Sequence, residues 1–145
     1  MDDAKKINEV MVSLFNIVLK IEEKAIKEST IHDLSITEMH TLDVIGIGSG
    51  RTMSEVAQRL QINLSTLTTA INKLVKKGYV ERFRIPSDRR IVKIKLTKEG
   101  IDAVKEHEAF HDELIRKALG KVSDEEIKSL IVSLDNIDTF MHMQM

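Results

Sequence analysis

Residues 63–97 read NLSTLTTAINKLVKKGYVERFRIPSDRRIVKIKLT, and the first part of this stretch has the pattern of a helix. Leucine and isoleucine recur at three- and four-residue intervals from Leu64 onward, which is the spacing of one helical face. Asn63 is a good N-cap because its side-chain oxygen can accept a bond from a free backbone N–H. Gly78 directly follows Lys77 and is a common helix stop. We therefore predict a capped helix from Leu64 to Lys77.

Beyond Gly78 the pattern changes from helical to alternating. Residues 79–85 and 91–96 each alternate apolar with charged side chains, as half-buried strands do. Between them, residues 86–90 contain proline, serine and aspartate, which favour turns. The two strands are therefore predicted to form a basic β-hairpin.

Two shorter helices precede this stretch. Thr37 is a plausible N-cap for a helix that continues to Ile45, where the glycine-rich residues 46–50 end it. Ser54 opens a second helix that reaches Leu60. A short helix, a turn, a longer helix and a basic hairpin, in that order, predict a winged helix-turn-helix.

Long amphipathic helices flank this central region. Residues 3–29 carry an apolar stripe, Thr97 caps a helix to about Leu119, and Ser123 with Glu126 has the capping-box spacing. A monomer rarely leaves such stripes uncovered, so we expect a homodimer. The fold class is mainly α with a small β-hairpin wing, a winged helix-turn-helix with long N- and C-terminal dimerisation helices. The predicted domains are an N-terminal dimerisation helix (1–36), a DNA-binding domain (37–97) and C-terminal dimerisation helices (98–145).

The composition narrows the possible function classes. The 145 residues include no cysteine, which excludes disulfides, thiolate metal sites and cysteine nucleophiles. No apolar run approaches the roughly 18 residues of a membrane span, and the first residues lack the apolar stretch of a signal peptide. We therefore predict a cytoplasmic protein that does not use a membrane.

Charge is unevenly distributed along the chain. Residues 37–97 contain eleven Lys/Arg against five Asp/Glu, whereas the flanks are net acidic and the whole chain has a formal charge of −1. A basic middle between acidic ends suggests a module that binds a polyanion, with a solvated basic face as the alternative.

The helix over 64–77 has two distinct sides. Leu64, Leu67, Ile71 and Leu74 fall on one side and are predicted to anchor the helix to the core. The opposite side is short, polar and free of carboxylates, which suits contact with base edges and phosphates in a major groove. A protein-binding use of the winged helix, with little salt-dependent DNA binding, remains the alternative. The predicted DNA-binding residues of this helix are Ser65, Thr66, Thr68, Thr69, Asn72 and Lys73.

The hairpin adds a second set of cations. Arginines at its tip can reach a minor groove, best at A·T-rich DNA. Asp88 either orients a neighbouring arginine through a bidentate pair or starts the turn. The predicted DNA-binding residues of the hairpin are Arg82, Arg84, Asp88, Arg89, Arg90 and Lys93.

These motifs resemble those of MarR-type regulators. The run Ser65-Thr66-Leu67-Thr68-Thr69 … Leu74-Val75-Lys76-Lys77-Gly78-Tyr79-Val80-Glu81-Arg82 is similar to their recognition helix and first wing strand. Asp88-Arg89-Arg90 … Lys95-Leu96-Thr97-Lys98-Glu99-Gly100 is similar to their wing tip and following helix. The resemblance implies a homodimeric repressor that is not an enzyme and binds a pseudo-palindromic operator in double-stranded DNA. It also implies that Arg90 is the minor-groove arginine and Asp88 its orienting partner.

A second resemblance concerns the effector. The segment Ile36-Thr37-Glu38-Met39-His40-Thr41-Leu42-Asp43-Val44-Ile45-Gly46, with Ile21-Glu22-Glu23 and Phe110-His111, is similar to the FabT-type subfamily, which represses fatty-acid synthesis genes. This similarity implies long-chain acyl-acyl carrier protein as corepressor.

His107-Glu108-Ala109-Phe110-His111 spells H-E-x-x-H, the zinc motif of metalloproteases. We reject a zinc-dependent hydrolase because the surrounding pattern is that of a DNA-binding protein, with no convincing third ligand and catalytic cleft. A related group of MarR-type regulators senses zinc with acidic and histidine ligands, and hydrogen-bonded structural histidines are the competing interpretation. Apart from this possible zinc ion, no cofactor is predicted. The zinc ligands of the alternative hypothesis are Glu22, His40, His107 and His111.

Overall fold

The computed structural model describes residues 2–145 and confirms the predicted fold class. Within residues 2–145, six helices are interspersed with the three strands of a small sheet. One compact unit runs to Glu108, and a second runs from Ala109 to Met145. Across residues 2–145, no helix combines the length and apolar character needed to cross a membrane. The elements are α1 (Asp3–Lys27), α2 (Ile36–Ile45), β1 (Arg51–Thr52), α3 (Met53–Leu60), α4 (Leu64–Lys77), β2 (Val80–Ile85), β3 (Asp88–Leu96), α5 (Lys98–Ala118) and α6 (Asp124–Met143).

Two helix starts differ from the sequence prediction. Helix α2 is capped by Ser35 rather than Thr37, because Ser35 and Glu38 form a capping box in which each side chain accepts from the other's backbone N–H. Helix α3 begins at Met53, one residue before the predicted Ser54, and it is capped by Thr52, whose hydroxyl accepts from the Glu55 N–H at 3.1 Å. In both helices a hydroxyl just before the first turn accepts from one of its free backbone N–H groups.

The wing is a three-stranded antiparallel sheet of order β1-β3-β2. Ile85 pairs with Asp88, so only Pro86 and Ser87 form the turn, and β3 begins three residues earlier than predicted. Strand β1 was not predicted, because its two residues are too few to show an alternating pattern. Strand β1 pairs with β3 through Thr52 and Lys93, and Thr52 also caps α3. This shared residue joins the wing to the helix-turn-helix.

An aliphatic core holds α4 in place, although Leu64 is not part of it. Leu67, Ile71 and Leu74 are completely buried, as predicted, whereas Leu64 is 51% exposed. Leu64 is the first residue of α4 and therefore lies at the end of the helix, beyond the side chains that are buried in the core. The core also includes Ile94 of β3, which is completely buried and links the sheet to the helices.

The predicted caps of the last two helices are confirmed. The Thr97 hydroxyl accepts from the Gly100 N–H at 3.2 Å at the start of α5. Ser123 and Glu126 form the predicted capping box at the start of α6. Gly100 is buried, and a Cβ at this position would collide with the backbone carbonyl of Tyr79. The early glycine in α5 is therefore a packing requirement.

Candidate nucleic-acid interface

The N-terminus of α4 is held by its cap residue, Asn63. The Asn63 side-chain oxygen accepts from the Thr66 backbone N–H and from the Ser65 hydroxyl, each at 2.8 Å. These two bonds fix the first turn of the helix, where the predicted contacts Ser65 and Thr66 are both exposed.

The hydroxyls of Thr68 and Thr69 on α4 have their hydrogens engaged within the helix. Thr68 Oγ1 donates to the Leu64 carbonyl at 2.8 Å, and Thr69 Oγ1 donates to the Ser65 carbonyl at 3.2 Å. Both residues remain exposed. Because the hydroxyl hydrogen is used, the free lone pairs of each oxygen can accept a bond from a base amino group.

The wing contacts α4 through Arg82 and Asn72. An Arg82 guanidinium N–H donates to the Asn72 side-chain oxygen, and both residues are exposed. Lys73 lies next to Asn72 and is also exposed. The predicted DNA-binding residues of α4 and of β2 thus meet in one surface.

Three side-chain hydrogen bonds shape the tip of the wing. The Arg84 guanidinium donates to the Arg89 carbonyl at 2.6 Å across the hairpin. Arg90 pairs with Asp88 through two bonds, Nε to Oδ1 at 3.1 Å and Nη2 to Oδ2 at 3.3 Å. The Arg90 side chain is nonetheless 91% exposed, so it remains accessible to a ligand.

The Asp88 carboxylate is stabilised in its charged form. Its hydrogen bonds from the Arg90 side chain, and then from the Arg90 backbone N–H, hold the pKa of Asp88 below its usual value. Asp88 therefore stays ionised at neutral pH and keeps the Arg90 guanidinium oriented. Asp88 thus forms a bidentate pair with an arginine, whereas the turn before it is formed by Pro86 and Ser87.

A groove of about 560 Å³ lies between α4 and the wing. Four predicted contacts line it, namely Thr68, Arg82, Arg84 and Arg89. Sequence reasoning missed its apolar lining, which comes from Met53, Phe83 and Val92. The alternation of β2 could have indicated Phe83, because it lies between two arginines. Lys93, a further predicted contact on β3, is partly buried.

A second cluster joins a carboxylate and two histidines within the first unit. Glu22 Oε1 lies 3.4 Å from His107 Nε2 and 3.5 Å from His40 Nε2. Glu22 and His107 are buried, whereas the His40 side chain is 44% exposed. Three of the four alternative zinc ligands are thus brought together, and the fourth, His111, belongs to the second unit.

Comparisons with known proteins agree with this architecture. A model of the MarR family matches residues 32–91. The chain is 30% identical to the HTH-type transcriptional regulator SarZ of Staphylococcus haemolyticus, over 73% of this chain and 71% of that protein. It is 30% identical to the HTH-type transcriptional regulator PecS of Dickeya dadantii, over 89% of this chain and 80% of that protein.

A solved structure gives a fuller match. The chain superimposes on Streptococcus pneumoniae FabT in complex with DNA with a TM-score of 0.91 and 41% identity, covering 98% of this chain and 99% of that one. SarZ and PecS are both named as transcriptional regulators, which confirms the prediction that the chain is a regulator and not an enzyme. The chain belongs to the MarR family of DNA-binding, winged helix-turn-helix transcriptional regulators.

Proposed function

We propose that this protein is a homodimeric repressor that binds a pseudo-palindromic, A/T-rich operator. The observation that carries the proposal is the polar face of α4 joined to the arginines of the wing in a single surface. In this proposal α4 enters the major groove, and Arg90 at the wing tip enters the adjacent minor groove. Each half of the operator binds the winged helix-turn-helix of one copy of the chain.

The homodimer is supported by apolar surface on the long helices. Leu14, Phe15 and Ile17 of α1 are each about half exposed or more, and so are Ile131 and Leu134 of α6. Monomers rarely expose so many large apolar side chains. A second copy of the chain is the occupant we propose for each face, because a two-fold operator needs two recognition helices.

We further propose that the protein controls fatty-acid synthesis genes, with long-chain acyl-acyl carrier protein as corepressor. The support is the FabT-type sequence resemblance, together with the 41% identity to the DNA-bound Streptococcus pneumoniae protein over nearly the full length. The corepressor would act by favouring the spacing of the two winged helices that matches the operator.

The test is fluorescence anisotropy on DNA from the region upstream of the protein's own gene. Binding is compared in chelator, in added zinc and in added long-chain acyl-acyl carrier protein, with unacylated carrier protein as the matched control. Tighter binding with the acylated form alone supports the fatty-acid role. Salt-independent or absent binding to all DNA contradicts the repressor and favours a protein-binding winged helix.

A zinc-responsive regulator is the second candidate, and the geometry around Glu22 favours it. The two Glu22–histidine distances, 3.4 and 3.5 Å, exceed the usual hydrogen-bond range of about 2.7–3.2 Å. Ligands at about 2.0–2.1 Å from a tetrahedral zinc ion lie roughly 3.3 Å from one another. Carboxylate and imidazole also suit zinc chemically, and the pairs that Glu22 forms with His40 and with His107 are each spaced as two ligands of one zinc ion are.

Zinc binding can be measured directly by competition with a chromophoric chelator. We expect His40→Gln to weaken zinc binding at least tenfold. The His40 side chain is partly exposed, so the substitution should leave the protein folded. The exposed His32→Gln is the matched control and should bind zinc as the parent does. Equal zinc affinity in the parent and His40→Gln would assign the cluster a purely structural role.

A further inference from the structure

The segment between α1 and α2 is attached to α5. Residues 28–35, which we call the strap, connect the end of α1 to the start of α2. Ile31 and Leu34 are buried and anchor the strap in the core. The Thr30 hydroxyl donates to a Glu106 carboxylate oxygen of α5 at 2.7 Å. The strap is therefore fixed to α5 close to the point where α1 ends.

Further along the strap, Asp33 contacts the C-terminal end of α4. The hydroxyl of Tyr79, two residues beyond the end of α4, donates to Asp33 Oδ1 at 2.6 Å. Lys77 is the last residue of α4, and its ammonium group donates to the Asp33 backbone carbonyl at 2.5 Å. The same group donates to the Glu38 carboxylate oxygens at 3.0 and 2.8 Å. We call these bonds among Asp33, Glu38, Lys77 and Tyr79 the latch.

The two donors of the latch are used within the fold. An ammonium group has three hydrogens, and three acceptor oxygens surround that of Lys77. Its charge is paired with Glu38, so Lys77 is not presented to phosphate even though it lies in the basic middle of the chain. Burial, and then the bond to Asp33, raise the pKa of Tyr79 above its usual value. The phenol therefore keeps its proton and remains a donor at neutral pH.

Polar bonds, rather than close packing, hold the strap against the end of α4. A cavity of about 250 Å³ lies beside the latch, and its lining includes Ile31, Lys77 and Tyr79 as well as residues of α5. The middle of α4 is held differently, through the completely buried side chains of Leu67 and Ile71. Opening the latch would therefore release the C-terminal end of α4 from the strap while leaving these core contacts in place.

Building on the proposed DNA-binding homodimer, we propose that Asp33, Lys77 and Tyr79 are positioning residues that set the separation of its two α4 helices. Helix α1 carries part of the apolar surface assigned to the dimer contact, and the strap runs directly from α1 to the latch. A closed latch makes the position of α4 follow that of α1. Half-sites on one face of DNA lie about 34 Å apart, so a dimer with a fixed separation selects operators by their spacing.

Three duplexes separate positioning from contact. The operator that the parent selects from randomised DNA is compared with the same operator lengthened by one central base pair and with a single half-site. The double variant Tyr79→Phe/Lys77→Met should bind the half-site as the parent does, because the polar face of α4 is unchanged. Its affinity for the operator should fall about tenfold, and most of the preference over the lengthened duplex should be lost. Tyr79→Phe alone changes no charge and should show the same effect to a smaller extent.

Arg90→Ala is the matched control, because it removes a proposed contact within each half-site. It should weaken binding to all three duplexes and keep the parental preference for spacing. A double variant that keeps this preference, or that binds the half-site more weakly than the parent, overturns the proposal. Failure of the parent to select any sequence would instead contradict the proposed repressor function. Circular dichroism checks that every variant is folded.

The latch itself can be observed, because Tyr79 is the single tyrosine of the chain. A full-length protein labelled with ¹³C at the tyrosine Cζ therefore gives one side-chain NMR signal. Asp33→Ala removes the acceptor of the phenol and should shift this signal. His32→Ala changes the exposed neighbour on the strap and should leave the signal in place. An identical signal in the parent and in Asp33→Ala would show that the bond is absent in solution and would also overturn the proposal.

Discussion

At the scale of single residues, the wing tip depends on the pair between Asp88 and Arg90. The bidentate contact holds an arginine side chain that is otherwise 91% exposed and would sample many rotamers. An acid beside the proposed phosphate contacts is unfavourable for DNA binding in simple charge terms. Its orienting bond to Arg90 gives a physical reason for its presence.

Arg90→Ala is expected to lower operator affinity by at least about tenfold, because the minor-groove contact and its charge are both lost. The log–log salt slope should become shallower by about 0.9 if Arg90 displaces one counterion. Anisotropy titrations at several salt concentrations measure both quantities. Lys121→Ala removes an exposed lysine outside the predicted set and should bind as the parent does, whereas unchanged affinity in Arg90→Ala would remove Arg90 from the interface.

The Asp88–Arg90 pair also predicts a pH dependence. The Arg90 bonds lower the pKa of Asp88 in the folded state, so the pair is present above the unfolded pKa and is lost as pH falls through the lowered folded value. From about pH 5 to 8 Asp88 stays ionised, so the pair should remain formed and should not cause the DNA affinity to change with pH. The measurement is a pH titration of Arg90 Nε by NMR, with Asp88→Asn as the control that lacks the transition. A change in the Arg90 signal of the parent near pH 6 to 7 that Asp88→Asn abolishes would contradict this assignment.

At the scale of secondary-structure elements, α5 packs against the end of the wing through Gly100. A Cβ there would meet the Tyr79 carbonyl and lie 3.2 Å from Leu96 Cβ. The Thr97 hydroxyl also donates to the Gly78 carbonyl at 2.6 Å, which ties the same helix start to the end of α4. Close backbone approach, rather than local helix preference, therefore decides the residue at position 100.

Gly100→Ala should lower the free energy of unfolding by about 1–3 kcal/mol, because backbone atoms must move to admit the methyl group. Gly120→Ala is the matched control. A Cβ there would lie 3.4 Å from its nearest neighbour, and the φ of Gly120 is not positive, so the change should stay within about 1 kcal/mol of the parent. Urea denaturation compares the two variants. Equal free energies of unfolding would show that the backbone around Gly100 can move to admit a methyl group at little cost in stability.

At the scale of the whole molecule, the proposed function requires two copies of the chain. Each copy supplies one α4 and one wing, while α1 and α6 each present apolar side chains on their surfaces. Burying those side chains against a second copy would contribute about 25 cal/mol for each Å² of apolar surface removed from water. Dimer formation and operator binding are therefore thermodynamically linked in this proposal.

Leu14→Asp on α1 should shift the protein toward monomer and weaken operator binding, because a charge would be placed in the proposed dimer contact. Asn16→Asp introduces the same residue about 200° around the helix and should leave the dimer intact. Light scattering coupled to size-exclusion chromatography measures the molar mass of each variant. A dimeric Leu14→Asp protein would place the contact between copies elsewhere.

The sequence alone determined the features that depend on near neighbours. The Asn63, Thr97 and Ser123 caps, the Gly78 stop and the hairpin follow from residues within a few positions of each other. MarR-type motifs in the same stretch also identified the family, which the relatives then confirmed. Local hydrogen bonds and periodic side-chain burial are encoded over short distances, so they can be read from the chain.

Tertiary structure decided whatever depends on contacts between distant segments. The exposure of Leu64, the third strand β1 and the tight approach at Gly100 each reflect which element lies nearby. The bond from Arg82 to Asn72 forms only because the buried core positions β2 beside α4. No local pattern specifies these relations, since packing of the core, rather than propensity, brings such residues together.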